Sequence, residues 1–256
     1  MKNGLINIED EEIKIQPHDP TQIHLYQIPV DYTPGVEPKK ILKFLSEVLK
    51  PDDIPVFQEI LGNLLYRDIR FHRGVMAYGS GRNGKSVAMD LIEAFLGQIN
   101  CVSIPLHALQ YDKFAVANLF GKLVNKCSEL SPEELRHTEK IKALISGDPV
   151  SGEFKNKDRF EFRPKAKMIF CCNTLPEIKD LSYAFWERWI LLDFPNKFEK
   201  DDPKTDPYII KKITTPEELS GLLNWALVGL KRIIKKPASK LAQKMRAMLF
   251  KRAASK

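Results

Sequence analysis

Long apolar runs are missing from this chain of 256 residues. No stretch approaches the ~20 consecutive apolar residues that span a bilayer, which argues against a membrane protein. The opening Met1-Lys-Asn-Gly-Leu-Ile-Asn-Ile-Glu-Asp-Glu-Glu lacks the apolar core of a secretory signal. Cysteine is scarce: Cys101, Cys127, Cys171 and Cys172 form no C-x-x-C pair and have no histidines at zinc spacing. Two of them lie in the apolar run Met168-Ile-Phe-Cys-Cys172. A reduced, intracellular protein with small buried thiols is the simplest account, placing it in the cytoplasm. Internal repeats and low-complexity linkers are absent too, and the length suits one large or two small domains.

What is present is ordinary globular material. Hydrophobic residues make up 43% of the chain, which excludes wholesale disorder. Forty Lys and Arg against 33 Asp and Glu leave a net charge of +7. A basic balance fits a nucleic-acid partner without identifying one. Much of the excess lies late, in Lys231-Arg-Ile-Ile-Lys-Lys236 and from Lys240 to Lys256. That end reads equally as a solvated helix or a phosphate-contacting arm.

Along the chain, residues 1 to about 36 read as irregular, with Pro17, Pro20, Pro29 and Pro34 interrupting β-prone runs such as Gln22-Ile-His-Leu-Tyr26. Glu37–Lys50 and Pro55–Tyr66 show helical apolar spacing around a Pro-Asp-Asp turn at 51–53. Strands are predicted at Gly74–Tyr78, Gly121–Cys127, Ala166–Cys172 and Ile190–Phe194. Helices are predicted at Val87–Leu96, Pro132–Ile145 and Glu217–Ile234. Phe154, Phe160 and Phe162 alternate with charged residues around Asn156-Lys-Asp158, the pattern of a β-hairpin. Asn125 and Lys126 are poor residues for a buried strand.

The run Gly79-Ser80-Gly81-Arg82-Asn83-Gly84-Lys85-Ser86 fits G-x-x-x-x-G-K-[ST] without substitution. An apolar strand precedes it and a helical pattern follows, the context the motif requires. Glycines let backbone N–H groups turn inward around phosphate oxygens, and the helix N-terminus adds partial positive charge. Lys85 can reach the β- and γ-phosphates and Ser86 can hold Mg²⁺. The motif predicts a nucleoside triphosphate site. Strands alternating with helices after such a loop predict an α/β fold with a central parallel sheet. A small helical lead-in precedes it and helices follow.

Hydrolysis also needs positioned water, a held metal and neutralised charge on the γ-phosphoryl. Leu123-Val-Asn-Lys-Cys-Ser-Glu129 offers an acid, Glu129, at a strand end; Ser131-Pro132 just beyond makes a surface-helix start an equal reading. Lys167-Met-Ile-Phe-Cys-Cys-Asn173 ends a strand in an amide that could bond water or the γ-phosphate, or could be a turn asparagine before Pro176. Arg188 stands just before the last strand, where a surface ion pair is the competing role.

The order is informative: phosphate loop, acidic strand end, Ser146-Gly147-Asp148, asparagine strand end, then Phe185-Trp-Glu-Arg-Trp189. It resembles the superfamily III helicases, and within them the phage/plasmid primase–helicase family with its poxvirus-type relatives. The resemblance runs from about Gly4 to Ile234. It implies an AAA+-type P-loop ATPase core assembling into a homo-oligomeric ring, usually a hexamer, around single-stranded or forked DNA. On that resemblance ATP and Mg²⁺ are the cofactors, with Lys85, Ser86 and Glu129 handling phosphate, metal and water. Asn173 becomes the γ-phosphate sensor. Arg188 becomes the finger inserted into a neighbouring subunit's ATP, so that one subunit alone is a poor ATPase. A viral member would work in host cytoplasm, with a primase domain or partner alongside.

Three departures from the family pattern stand out. Asn125 and Lys126 replace apolar residues, Ser128 stands where many ATPases have Asp, and Glu187 replaces a frequent second arginine. Hairpin cations Lys155, Lys157 and Arg159 are the expected DNA contacts, with aromatics nearby for base stacking; a solvated turn is the competing reading. Nothing before residue 37 reads as the paired-carboxylate site of a primase, so priming activity is not expected. The expected division is 1–70 lead-in, 71–200 ATPase core and 201–256 C-terminal helices. A remodelling or initiator ATPase that does not unwind, and a P-loop phosphotransferase, are the rival functions.

Overall fold

The computed structural model describes residues 1–9, 12–21, 23–128, 138–174, 182–199 and 205–235. The chain opens with an antiparallel pair, β1 (Leu5–Glu9) and β2 (Glu12–Gln16), in a segment whose prolines predict irregular backbone. The register sets Leu5 opposite Gln16 and Ile6 opposite Ile15, a pairing that the proline-rich sequence downstream obscures. Next come α1 (Lys39–Val48), α2 (Ile54–Leu65), β3 (Gly74–Tyr78), α3 (Lys85–Leu96), β4 (Cys101–Val102), α4 (Leu106–Tyr111) and α5 (Lys113–Ala117). β5 (Val124–Cys127), α6 (Thr138–Ser146), β6 (Val150–Glu153), β7 (Arg159–Phe162) and β8 (Lys167–Cys172) follow. The described chain ends with α7 (Tyr183–Trp186), β9 (Trp189–Asp193), α8 (Ile209–Ile213) and α9 (Pro216–Lys235). No helix among the described residues is long and apolar enough to cross a membrane.

The chain sorts into two compact units. Met1–Tyr66, Gly81–Cys101 and the stretch from Phe194 through α9 make the first; Arg67–Ser80 and Val102–Asp193 make the second.

The second unit carries the predicted sheet, ordered β4-β5-β8-β3-β9, so the α/β expectation holds. β8 lies parallel between β5 and β3, with Ala77 opposite Cys171, and β9 lies parallel on the other side of β3, with Ala77 opposite Leu192. β3, β8 and β9 are nearly continuous apolar runs because strands inside a parallel sheet are covered on both faces. Trp189 is wholly buried, with Phe170 and Phe185 at ring-centroid distances of 6.0 and 5.9 Å. A Cβ on Gly74 would lie 2.8 Å from the Trp189 ring, so glycine is what admits the indole there. All four cysteines are buried thiols outside any disulfide, as the sequence predicts.

One of the two polar residues of β5 has a structural explanation. Asn125 is fully buried, accepts from the Ile104 N–H at 2.7 Å and donates to the Ile104 carbonyl at 3.0 Å. Its amide extends the strand pairing where the two-residue β4 has already ended. Buried backbone groups need partners, and here a side chain supplies both.

Apart from the β1–β2 pair, the first unit is helical. α2 and α9 approach closely: a Cβ on Gly62 would meet the Leu230 nitrogen at 2.5 Å, and one on Gly229 the Gln58 carbonyl oxygen at 2.4 Å. Gln58 Nε2 donates to the Trp225 carbonyl at 2.9 Å, and Arg232 reaches Glu59 at 3.1 Å. α1 has no cap from its own N-cap residue, Pro38. The buried Glu218 carboxylate of α9 serves instead, accepting from the Lys40 and Ile41 N–H groups at 3.1 Å. A carboxylate at a helix N-terminus satisfies orphan donors and complements the dipole.

Candidate functional site

Three of the eight motif residues hold left-handed backbone: Gly81 at φ 98°, Arg82 at 47° and Gly84 at 85°. Such turns bring successive N–H groups to one side of the chain. At the loop's start, in the second unit, Gly79 N–H donates to the Cys172 carbonyl at 3.2 Å, prolonging the β3–β8 ladder. In the first unit, a Cβ on Gly84 would stand 2.6 Å from Val48 Cγ1, so glycine is required by contact as well as by φ. α3 begins at Lys85, its hydrogen-bond ladder opening with Ala88 N–H to the Gly84 carbonyl at 3.0 Å.

Lys85 is almost buried and donates to Asn83 Oδ1 at 2.9 Å. Asn83 in turn donates to the Phe194 carbonyl at 3.3 Å. The asparagine thereby orients the lysine along the loop. Phe198 N–H bonds the Arg82 carbonyl at 2.7 Å, and the exposed Arg82 guanidinium lies 3.6 Å from Glu199. A hydrogen bond from Lys197 holds the Glu199 carboxyl below its ordinary value. The residues after β9 are thus laced to the second half of the loop, a contact no local pattern announces. Ser80 and Ser86 are exposed, so the Ser86 hydroxyl is open to a metal.

Asn173 follows β8 directly, and the Tyr78–Cys172 register with the Gly79–Cys172 bond sets it beside the first loop glycine. The structure thereby joins two residues that lie far apart in sequence. Glu129 lies outside the described residues, as does the predicted start of the following helix. Ser128, which ends the described part of that segment, is exposed. Among the described residues no group of three His, Cys, Asp or Glu could hold a metal ion.

Arg188 occupies the other end of the sheet. Its carbonyl accepts from Gly74 N–H at 2.7 Å, so the whole of β3, roughly 16 Å at strand rise, separates it from Gly79. Its guanidinium is held, with Nε donating to Ser146 Oγ at 3.2 Å, a second bond to the Ala184 carbonyl, and Glu187 at 3.8 Å. Ser146 and Arg188, separate landmarks in the sequence, are direct partners. Arg73, which carried no motif signal, stands next to this group. Burial lowers its pKa, Glu187 opposes that, and Arg188 adds to it.

The predicted hairpin is β6–β7, with Glu153 opposite Arg159. Asn156 takes φ 61° in the turn, and Lys157 N–H bonds the Phe154 carbonyl at 3.0 Å. Lys155 and Lys157 are exposed and meet no carboxylate among the described residues. Arg159 is also exposed, but its Nε donates to Ser151 Oγ across the hairpin. Phe154, Phe160 and Phe162 stack in sequence at 5.3 and 5.4 Å, and Phe120 meets Phe160 edge-on at 5.6 Å. Cations at the tip and an aromatic file at the base therefore share one ribbon.

Known proteins share this architecture. Putative helicase 184R of Invertebrate iridescent virus 6 is 26% identical over 253 residues, covering 88% of this chain and 26% of the relative. Putative helicase L207/L206 of Acanthamoeba polyphaga mimivirus is 28% identical over 134 residues, covering 50% of this chain and 14% of the relative. The chain is similar to putative helicases of large DNA viruses. That similarity bears out the resemblance carried by the loop, the strand ends and the arginine tract. The family of unknown function DUF5906 matches residues 77–187, from the end of β3 to just before Arg188. Among solved structures, the apo C-terminal region of NrS-1 superposes with a TM-score of 0.59 at 17% identity. It covers 91% of this chain and 58% of that one, a likeness of fold. The chain spans about a quarter of the length of 184R and less of the mimivirus relative.

Proposed function

We propose that this chain is the ATP-hydrolysing engine of a DNA helicase in viral or plasmid replication, working as a ring on single-stranded DNA. The observation that carries the reading is the shape of Gly79–Ser86: three left-handed residues and a buried lysine between a parallel strand and a helix. That shape fits the triphosphate of ATP, with Lys85 on the β- and γ-phosphates and Ser86 on Mg²⁺. The metal, when bound, neutralises developing charge on the phosphates. In this reading Asn173 senses the γ-phosphate and Glu129 polarises water. Lys155, Lys157 and Arg159 grip the DNA backbone.

Arg188 supports assembly. A guanidinium at the far end of β3 from its own loop cannot serve that loop's phosphate, whereas one held by Ser146 and Ala184 at an edge is preset for a neighbour. Arginine supplied in trans stabilises transition-state charge in other P-loop enzymes by orders of magnitude.

The test is complementation. Lys85→Ala and Arg188→Ala are each expected to lose DNA-stimulated ATP hydrolysis and unwinding of a tailed duplex. Mixed in equal amounts, they regain ATPase activity at roughly a quarter of the interfaces, those pairing an intact loop with an intact finger. ATP turnover indifferent to DNA and to Arg188→Ala would sink the ring. ATP turnover stimulated by DNA without unwinding would instead favour a remodelling ATPase.

A further inference from the structure

Phe120, in the turn between α5 and β5, is 57% exposed, although an aromatic ring gains most by burial. The turn holds it in place. Its N–H donates to the Ala117 carbonyl at 3.0 Å, Lys122 N–H donates to the Leu119 carbonyl at 3.2 Å, and Leu119 is fully buried. The Phe120 ring stands perpendicular to Phe160 and Phe162 of β7, at 5.6 and 5.5 Å between centroids and 84° and 90° between planes. α5 in turn lies hard against β6, where a Cβ on Gly152 would stand 2.9 Å from Ala117 Cα. Phe120 is thus a braced, open ring fixed to the β6–β7 ribbon from outside the hairpin.

Phe154, at the other end of the aromatic file, is 36% exposed, and Lys155 follows it directly. Phe160 and Phe162 between them are half-buried. Open rings therefore stand at both ends of the file, next to the cations of the tip. Lys113 pairs with Glu153 at 2.5 Å, which offsets that carboxylate. In the turn itself Asp158 stands against Lys155, Lys157 and Arg159. Two kinds of partner could cover such rings. A protein surface would seat them in an interface core, where lysine is depleted. A single strand of nucleic acid alternates flat rings with phosphates and so matches open rings set beside cations. Charge complementarity decides for the strand.

We propose that Phe120 and Phe154 are stacking platforms for bases of a single strand whose phosphates are held at the hairpin tip. The proposal rests on the reading of Lys155, Lys157 and Arg159 as contacts to the DNA backbone, and adds where the bases go. Stacking needs a π-face and no hydrogen-bond code, so affinity depends on the presence of bases and little on their order.

The test compares oligothymidylate with an abasic deoxyribose-phosphate strand of equal length, by fluorescence anisotropy on the full chain at fixed salt. Thermal melts check the fold of each variant, and an exposed ring can be removed without opening the core. Phe120→Ala is expected to weaken oligothymidylate binding about five- to hundredfold and to leave the abasic strand unchanged. Phe120→Trp keeps the affinity for oligothymidylate. Lys155→Gln with Lys157→Gln weakens both strands alike. A Phe120→Ala protein that binds oligothymidylate as wild type does overturns the platform. So does one that loses both strands equally, because the ring would then only brace the ribbon. A Phe120→Ala protein with a smaller assembly mass and unchanged strand affinity makes the ring a protein contact and overturns it too. Abasic-strand affinity untouched by the double lysine change would instead sink the backbone reading beneath it.

Discussion

Replacing Asn125 with leucine should be among the most damaging single changes in the sheet, even though it makes the strand look more conventional. Leucine keeps the approximate volume and removes both bonds to Ile104, at 2.7 and 3.0 Å. Ile104 is 6% exposed, so water does not readily take the place of the missing amide. Each orphaned buried group costs about 1–3 kcal/mol, and apolar burial by the new side chain returns part of that. The expected loss is about 2–4 kcal/mol, read as a lower urea midpoint with an unchanged slope. Asn125→Asp gives a second reading: it still accepts from the Ile104 N–H but faces the carbonyl with a charge. Its defect should therefore shrink at low pH, where a protonated carboxyl can donate again. An Asn125→Leu protein within about 0.5 kcal/mol of wild type would refute the idea that the amide completes the pairing.

Four other outcomes follow from the structure. Burial brings the Lys167 ammonium down to about 7 from an ordinary 10.5, so between those values the unfolded chain binds the extra proton and stability rises with pH. Lys167→Met should therefore raise the melting temperature at pH 7, with a gain that fades toward pH 10; a pH-independent difference would contradict this. Gly84→Ala meets both a φ of 85° and Val48 Cγ1 at 2.6 Å, and should cost about 2–4 kcal/mol and most nucleotide affinity, partly restored by Val48→Ala. Glu218→Ala removes the cap on α1 from the Lys40 and Ile41 N–H groups and should cost about 1–3 kcal/mol in chemical denaturation, with Glu218→Gln milder. Lys155→Gln with Lys157→Gln should flatten the salt dependence of single-stranded DNA affinity, the log–log slope falling by about 0.7 for each phosphate that is no longer neutralised.

The parts legible from sequence are those whose causes are local. β3, the phosphate loop and α3 follow from an apolar run, glycines at fixed offsets and a 3.6-residue spacing. β8, β9 and α9 follow from similarly plain patterns, and the β6–β7 turn from Asn156 and its neighbours. What stayed hidden acts at long range. Asn125 looks like a flaw in a strand until its partner, 21 residues earlier, is beside it. The cap on α1 comes from a residue 178 positions away. The β1–β2 pair was masked by the prolines downstream, and the short α4 and α5 carry too few turns for a period to emerge. Among site residues, the distance between Arg188 and its own loop is a property of strand direction, invisible before the sheet order is known. The Arg82–Glu199 contact joins separate stretches that no motif links.

The pairing of α2 with α9 bears on the order in which this polypeptide acquires its form during synthesis. Gln58 meets Trp225 across 167 residues, so the first unit is closed by contacts of very high sequence separation. The span Val102–Asp193 of the second unit leaves the ribosome before α9 has been made. Domains that emerge early can collapse early. The half of the phosphate loop tied to Phe194 and Phe198 belongs with the late-closing helices. A nascent chain stalled before α9 would then carry every strand of the sheet, and Phe194 and Phe198 with it, while the first unit still lacked the helix that packs on α2.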